Sequence, residues 1–170
     1  MAARTVSVTQ DADRVTLERE CNAAREAVFR AFTDPEMLVR WWGPKGFTTP
    51  HCTIDLHPEG VFHYCMQGPN GEKYWGLGTY REIVVPERIV YLDAFSDEFG
   101  STVPPTAYGL SEEHPLETLV TLSFADLGGS TAVAVEYTLP AGVPERDGAI
   151  QGWSEMLDRL AALVDGEKPA

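Results

Sequence analysis

Basic residues are scarce in this chain: 13 Lys and Arg stand against 26 Asp and Glu, a formal net charge of −13. Such a surface field repels phosphate backbones and anionic headgroups, and the few cations are scattered, so neither nucleic acid nor a membrane surface is expected as a partner. Long apolar runs are missing too, none approaching the roughly 20 residues that span a bilayer. The opening residues 1–8 lack the apolar stretch of a secretory signal, and the expectation is a soluble, cytoplasmic protein. Cys21, Cys52 and Cys65 are odd in number and form no CxxC pair, which fits reduced, core or half-buried thiols better than a disulfide framework. His51, His57, His63 and His114 lack the close pairing of a metal site, and no metal or cofactor is expected. There is no GxSxG, no GxGxxG and no Walker loop, since Gly68-Pro69-Asn70-Gly71 is not followed by a helix. No catalytic residue is assigned.

What the chain does have is alternating and helical periodicity in an orderly succession. Its 170 residues fit one domain with a substantial core, divided here into a frayed lead-in (1–12), the domain (13–165) and a loose tail (166–170), with an extra edge strand allowed over residues 5–8. Val15, Leu17, Arg19 and Cys21 alternate as a first strand; Ala24, Val28 and Phe32 then recur at helical spacing. Thr33 or Asp34 can cap a second helix, with Pro35 in its first turn, Glu36 completing a capping box, Trp41-Trp42 at its end and Gly43-Pro44 breaking it. Strands are expected over residues 53–56, 61–66, 74–83, 88–95, 118–124 and 131–137, separated by turn signals at Gly68-Pro69-Asn70-Gly71 and Leu127-Gly128-Gly129-Ser130. Residues 96–117 are too long for a turn and read as a lid, a binding loop or a disordered link.

A final helix over about residues 145–164 has the cleanest pattern. Ala149, Ile150, Trp153, Met156, Leu157, Leu160, Leu163 and Val164 fall on one broad face. Its only large cover is the sheet. The fold class is therefore α+β: a curved antiparallel sheet wrapped around a long C-terminal helix, with two short helices after the first strand.

At this level of detail the chain resembles the activator of heat-shock protein ATPase-like domains of the START-like, Bet v-like helix-grip superfamily, also called SRPBCC. The resemblance is carried by residues 23–36, Trp41-Trp42-Gly43-Pro44, Pro58-Glu59-Gly60-Val61-Phe62, Gly68-Pro69-Asn70-Gly71-Glu72, Gly78-Thr79-Tyr80, Pro86-Glu87-Arg88-Ile89-Val90 and Gly152-Trp153 through Leu160. It departs at Glu59, where the family usually has a glycine, at Ala24, where it usually has proline, and at Asp93, on a strand position commonly apolar. The resemblance implies the helix-grip fold. Function within it ranges over small-ligand carriers, chaperone ATPase stimulators, cyclases and hydrolases, because the scaffold does not decide.

The expected site is an apolar cavity between sheet and last helix, lined by Trp42, Phe62, Tyr64, Met66, Tyr80, Tyr91, Phe95, Leu122, Trp153, Met156, Leu157 and Leu160. Gly76 and Gly78 leave open space on the central strand, for a ligand or for bending of the sheet. His63 has the opposite parity from Phe62 and Tyr64 and should point out of the cavity. Asp93 is expected to face outward; facing inward, it would give the pocket a carboxylate suited to a donor or a positive group. The leading expectation is a non-catalytic binder of a small apolar or aromatic molecule. The alternatives are a stimulator of a chaperone ATPase, which needs an exposed docking patch, and a cavity enzyme of cyclase or hydratase type, with Asp93 and Tyr80 the residues to check. Monomer and homodimer are both compatible with the composition.

Overall fold

The computed structural model describes residues 5–165; the first four residues of the expected lead-in and the expected loose tail lie outside the described residues. The elements are β1 (Ser7–Gln10), β2 (Arg14–Cys21), α1 (Arg25–Thr33), α2 (Pro35–Leu38), β3 (Thr48–Ile54), β4 (Val61–Gln67), β5 (Lys73–Val84), β6 (Arg88–Ser96), β7 (Thr118–Asp126), β8 (Thr131–Thr138) and α3 (Arg146–Asp165). One antiparallel sheet of eight strands has the order β1-β2-β8-β7-β6-β5-β4-β3, and the strand that precedes α1 thereby pairs with the strand that leads to α3. Among the described residues no helix is long and apolar enough to cross a membrane.

Pairing and turn chemistry agree. Gly128 and Gly129 take positive φ in the β7–β8 turn, where the Asp126 carboxylate accepts from the Gly128 N–H at 2.9 Å. In the β4–β5 hairpin Gly71 alone takes the left-handed conformation, while its N–H closes the turn on the Gly68 carbonyl. The one non-glycine residue with positive φ among those described is Glu59, at 72°, in the turn before β4. That is the position where the sequence departs from a glycine.

Helix α3 lies against the sheet, packing on β2, and buries Met156, Leu157, Leu160, Ala161 and Val164, with Trp153 and Leu163 half-buried beside them. Each such aliphatic side chain removed from water stabilises the packing by about 1.5–3 kcal/mol. On the same face α1 and α2 fill one end: Phe29 and Phe32 meet Phe124 edge-on at 5.4 and 5.3 Å, and Trp41 meets Phe32 at 4.7 Å. The Trp41 indole donates to the Ala31 carbonyl at 2.9 Å, so its one polar atom is satisfied in a fully buried position.

Three expectations change here. The edge strand allowed over residues 5–8 forms two residues later, as β1 paired with β2, and the buried Arg146 guanidinium, donating to the Asp11 and Arg14 carbonyls, ties that segment to the start of α3. Helix α2 stops at Leu38, short of Trp41-Trp42, and its cap is Asp34, whose carboxylate accepts from the Glu36 N–H at 3.0 Å; Thr33 instead donates back to the Phe29 carbonyl. The first strand of the middle group begins earlier than expected, at Thr48.

The 96–117 connection is folded onto the body. Ser96 and Thr102 form a bridge, and Pro105–Tyr108 make a 3-10 turn whose Tyr108 hydroxyl donates to the Ser96 carbonyl while accepting from the Trp75 N–H at 3.2 Å. Ser111 then donates to Glu145 at 2.7 Å, just before α3. These anchors place residues 114–118 beside the first half of that helix.

Candidate functional site

Along β4 and β6 the concave face changes character within two residues. Phe62 on β4, Tyr80 on β5, Tyr91 on β6 and Leu122 on β7 crowd with Phe32, Leu38 and Trp42 around a residual void of only ≈ 10 Å³. Further along the same strands, Tyr64, Met66, Asp93, Phe95 and Thr118 border an open recess of ≈ 160 Å³. Its other walls are Trp42, Trp153 and Met156, with His114, Pro115 and Leu116 contributed by the folded-down connection. A cavity of about 150 Å³ holds a benzene-sized guest, which sets the scale. A shallower groove of ≈ 290 Å³ lies beyond Leu116 and is lined by Ala94, Thr102, Val103, Pro104 and Glu117, without an aromatic ring.

The expected lining residues therefore divide. Trp42, Tyr64, Met66, Phe95, Trp153 and Met156 border the recess. Phe62, Tyr80, Tyr91 and Leu122 belong to packed core, and Leu157 and Leu160 are fully buried beneath α3 and border neither space. The openings expected at Gly76 and Gly78 are occupied by the protein's own rings. A Cβ on Gly76 would fall 2.3 Å from Cζ of Tyr64, its cross-strand partner, and one on Gly78 would fall 3.0 Å from the Tyr91 ring. These glycines let aromatic side chains lie flat across the strand rather than admitting a guest.

Asp93 faces inward, against expectation. It shares the parity of Tyr91 and Phe95, and the register that pairs Gly78 with Asp93 and Asp93 with Thr118 fixes all three on the concave side. The Tyr64 hydroxyl donates to Asp93 Oδ1 at 3.1 Å. Burial pushes the Asp93 carboxyl up to about 7, against the hydrogen bonds from Tyr64 and the Ala94 N–H that favour the charged form. Burial, with the neighbouring Asp93 charge, also holds the Tyr64 and Tyr91 phenols well above their ordinary range, so Tyr64 acts as a donor. Among the described residues no lysine or arginine forms an ion pair with Asp93.

Rings bracket this carboxyl. Trp42 stands edge-on to Tyr64 at 5.4 Å and to Trp153 at 5.5 Å, and Phe95 meets His114 at 5.7 Å. Trp42 is 3% exposed, and its indole N–H has no hydrogen-bond partner among the described residues. His63 lies on the other face of the sheet, as its parity requires, stacked on Trp75 at 5.0 Å and bonded to the Asp97 carbonyl. No group of three or more potential metal ligands converges among the described residues. The arrangement offers apolar walls and one carboxyl, held by the Tyr64 hydroxyl, that exchanges its proton near neutrality.

The family model for activator of Hsp90 ATPase homolog 1-like proteins matches residues 22–165. The chain belongs to this family. Solved structures of bacterial proteins agree with the assignment of this activator-like domain. One from Mycobacterium smegmatis is 25% identical with a TM-score of 0.77, over 96% of this chain and 99% of that one. A second, from Chromobacterium violaceum, is 29% identical with a TM-score of 0.72, over 91% and 98%. A solution structure from Arthrobacter aurescens is 26% identical with a TM-score of 0.75, over 96% and 92%. A comparison with curated proteins returned no match.

The connection residues His114, Pro115 and Leu116, with Thr118 at the start of β7, are the part of the recess that sequence reasoning missed. The connection carries no periodic signal, and the anchors at Ser96, Tyr108 and Ser111 bring it there. Asp93 was readable in principle, since its parity with two inward aromatics is visible in the chain.

Proposed function

We propose that this activator-like domain binds a small apolar or aromatic molecule in the recess between the sheet and the first half of α3, inside the cell and without forming a covalent bond to it. The observation that carries the reading is the ≈ 160 Å³ recess walled by Trp42, Met66, Phe95, Trp153 and Met156, next to a packed region with a void of only ≈ 10 Å³. A mostly apolar pocket with a few placed polar groups is the usual form of a small-molecule site. A single-ring guest burying about 150 Å² would gain roughly 4 kcal/mol at about 25 cal/mol per Å², before the cost of association. A gain of that size corresponds to an affinity of about 1 mM or weaker.

Trp42 and Trp153 both border the recess, which makes their fluorescence the direct readout. Titration with single-ring aromatics is expected to give saturable quenching that Met156→Trp, which fills the recess, abolishes. Quenching that is linear to the solubility limit, or unaffected by that substitution, overturns the reading.

The family's description supports a second reading, stimulation of a heat-shock protein ATPase. The exposed apolar residues Val85 and Leu127 lie in turns at one end of the sheet, whereas Phe99 and Leu116 lie at the other, so no single end gathers them. Mixing the domain with such an ATPase and measuring turnover separates the two readings.

A further inference from the structure

We propose that the recess selects organic cations: a single-ring or similarly compact apolar body carrying one ammonium group, which pairs with Asp93 while Trp42, Tyr64, Phe95 and Trp153 surround it. This rests on the binding reading above and specifies the chemistry of its ligand.

The argument begins with an imbalance. A half-buried carboxyl has been placed among aromatic rings with a phenol at 3.1 Å and a backbone N–H as its donors, yet no lysine or arginine among the described residues compensates its charge. The protein alone therefore already carries most of the desolvation cost of that carboxylate, and its ionisation is held back near neutrality as a result. A guest ammonium recovers that cost. It supplies the missing counter-charge at the open side of the carboxyl and makes a charge-assisted hydrogen bond in a poorly screened place.

The walls suit the same guest. Ring faces and edges from two tryptophans, a tyrosine and a phenylalanine border the recess, and aromatic enclosures attract ammonium groups through the ring quadrupole. Anionic guests meet the opposite: the bordering residues include no lysine or arginine, and the whole chain is at −13. An amino acid is disfavoured for that reason, because its carboxylate would have no cation to meet. The titratable groups that face the recess are Asp93 with its neighbours Tyr64 and Tyr91, and His114 from the connection; α3 contributes Trp153 and Met156, which do not titrate.

The test compares benzylamine, benzyl alcohol and benzoate, three probes of nearly one shape, by tryptophan fluorescence and calorimetry at about pH 8, where Asp93 is mostly ionised and the amine still mostly protonated. Benzylamine is expected to bind at least about tenfold tighter than benzyl alcohol, with benzoate weakest. Asp93→Asn and, independently, Asp93→Ser are expected to bring the amine-to-alcohol ratio down to about one. If benzyl alcohol binds as well as or better than benzylamine, the cation inference fails while the binding reading stands. If no probe binds, both fail. An amine preference that survives both substitutions also overturns the inference, since it then reflects general attraction to an acidic surface.

Discussion

Two neighbouring parts of one concave face, separated by a single two-residue step along β4 and β6, behave oppositely. At the end covered by α1 and α2, Phe62, Tyr80, Tyr91 and Leu122 meet Phe32, Leu38 and Trp42, and almost no space remains. At the other end, Tyr64, Asp93 and Phe95 face Trp42, the α3 residues Trp153 and Met156 and an irregular connection, and a recess opens. The strands have the same parity and comparable residues in both places. What differs is the lid. Two helices that bury Phe29, Phe32 and Leu38 can interlock with rings, whereas a connection held by a few hydrogen bonds fits its floor less closely.

Substitution of the two buried or bordering tryptophans breaks the comparison most directly. Trp41→Ala removes a fully buried ring and its bond to Ala31, and is expected to destabilise by about 3–5 kcal/mol in urea unfolding. Trp153→Ala, on the open side, should cost only about 1 kcal/mol while changing guest affinity severalfold. Equal losses would mean that the recess is as tightly packed as the core.

Gly76→Ala probes the border. The new Cβ would meet the Tyr64 ring and drive it towards the recess, at a cost of about 1–3 kcal/mol. Weakened guest binding should accompany the loss of stability; a neutral result would show that the ring moves freely.

Proton linkage gives a third contrast. The Asp93 carboxyl titrates near 3.8 when unfolded and at about 7 when folded, so the native state holds the extra proton between those values. Stability from this group is complete below about pH 4, declines as pH rises towards 7 and levels off above it. Asp93→Asn should abolish that decline, leaving the variant more stable at pH 8 by about 2 kcal/mol once water at the mouth of the recess is allowed for. Asp11 and Glu145, held below the ordinary carboxylate range by hydrogen bonds, act in the opposite direction and lose their contribution only on acidification. A wild-type minus variant curve that is flat from pH 4 to 8 would remove the pressure on Asp93.

The smallest effect concerns the turn that anchors the packed half. Glu59 sits at φ 72° while its N–H bonds the Tyr80 carbonyl. Glu59→Gly relieves a left-handed cost of about 1–2 kcal/mol but adds freedom to the unfolded chain, for a net gain of at most about 1 kcal/mol. A loss of stability would mean that the side chain itself supports the turn.

Local chemistry made much of the fold legible. Alternation along β4 and β6, the Asn-Gly and Gly-Gly turns and the stripe on α3 each specify an element through its own residues, and a strand whose parity is known has only two faces to choose between. The site was legible in part for the same reason: Tyr64, Met66, Phe95, Trp153 and Met156 follow from parity and helical phase. The misplaced expectations involve distance along the chain. Helix α2 ends early because Trp41 is drawn to the Ala31 carbonyl, and the N-terminal strand is held by an arginine more than a hundred residues away.

The sequence by itself determined the elements, their order, the apolar faces and the family, because periodicity, turn residues and capping act over a few residues. Whether the ring-rich interior closes or stays open, and whether Asp93 meets solvent or a pocket, was decided only by tertiary structure. Both depend on which segments come to lie over the sheet, and that is set by contacts between residues far apart in the chain.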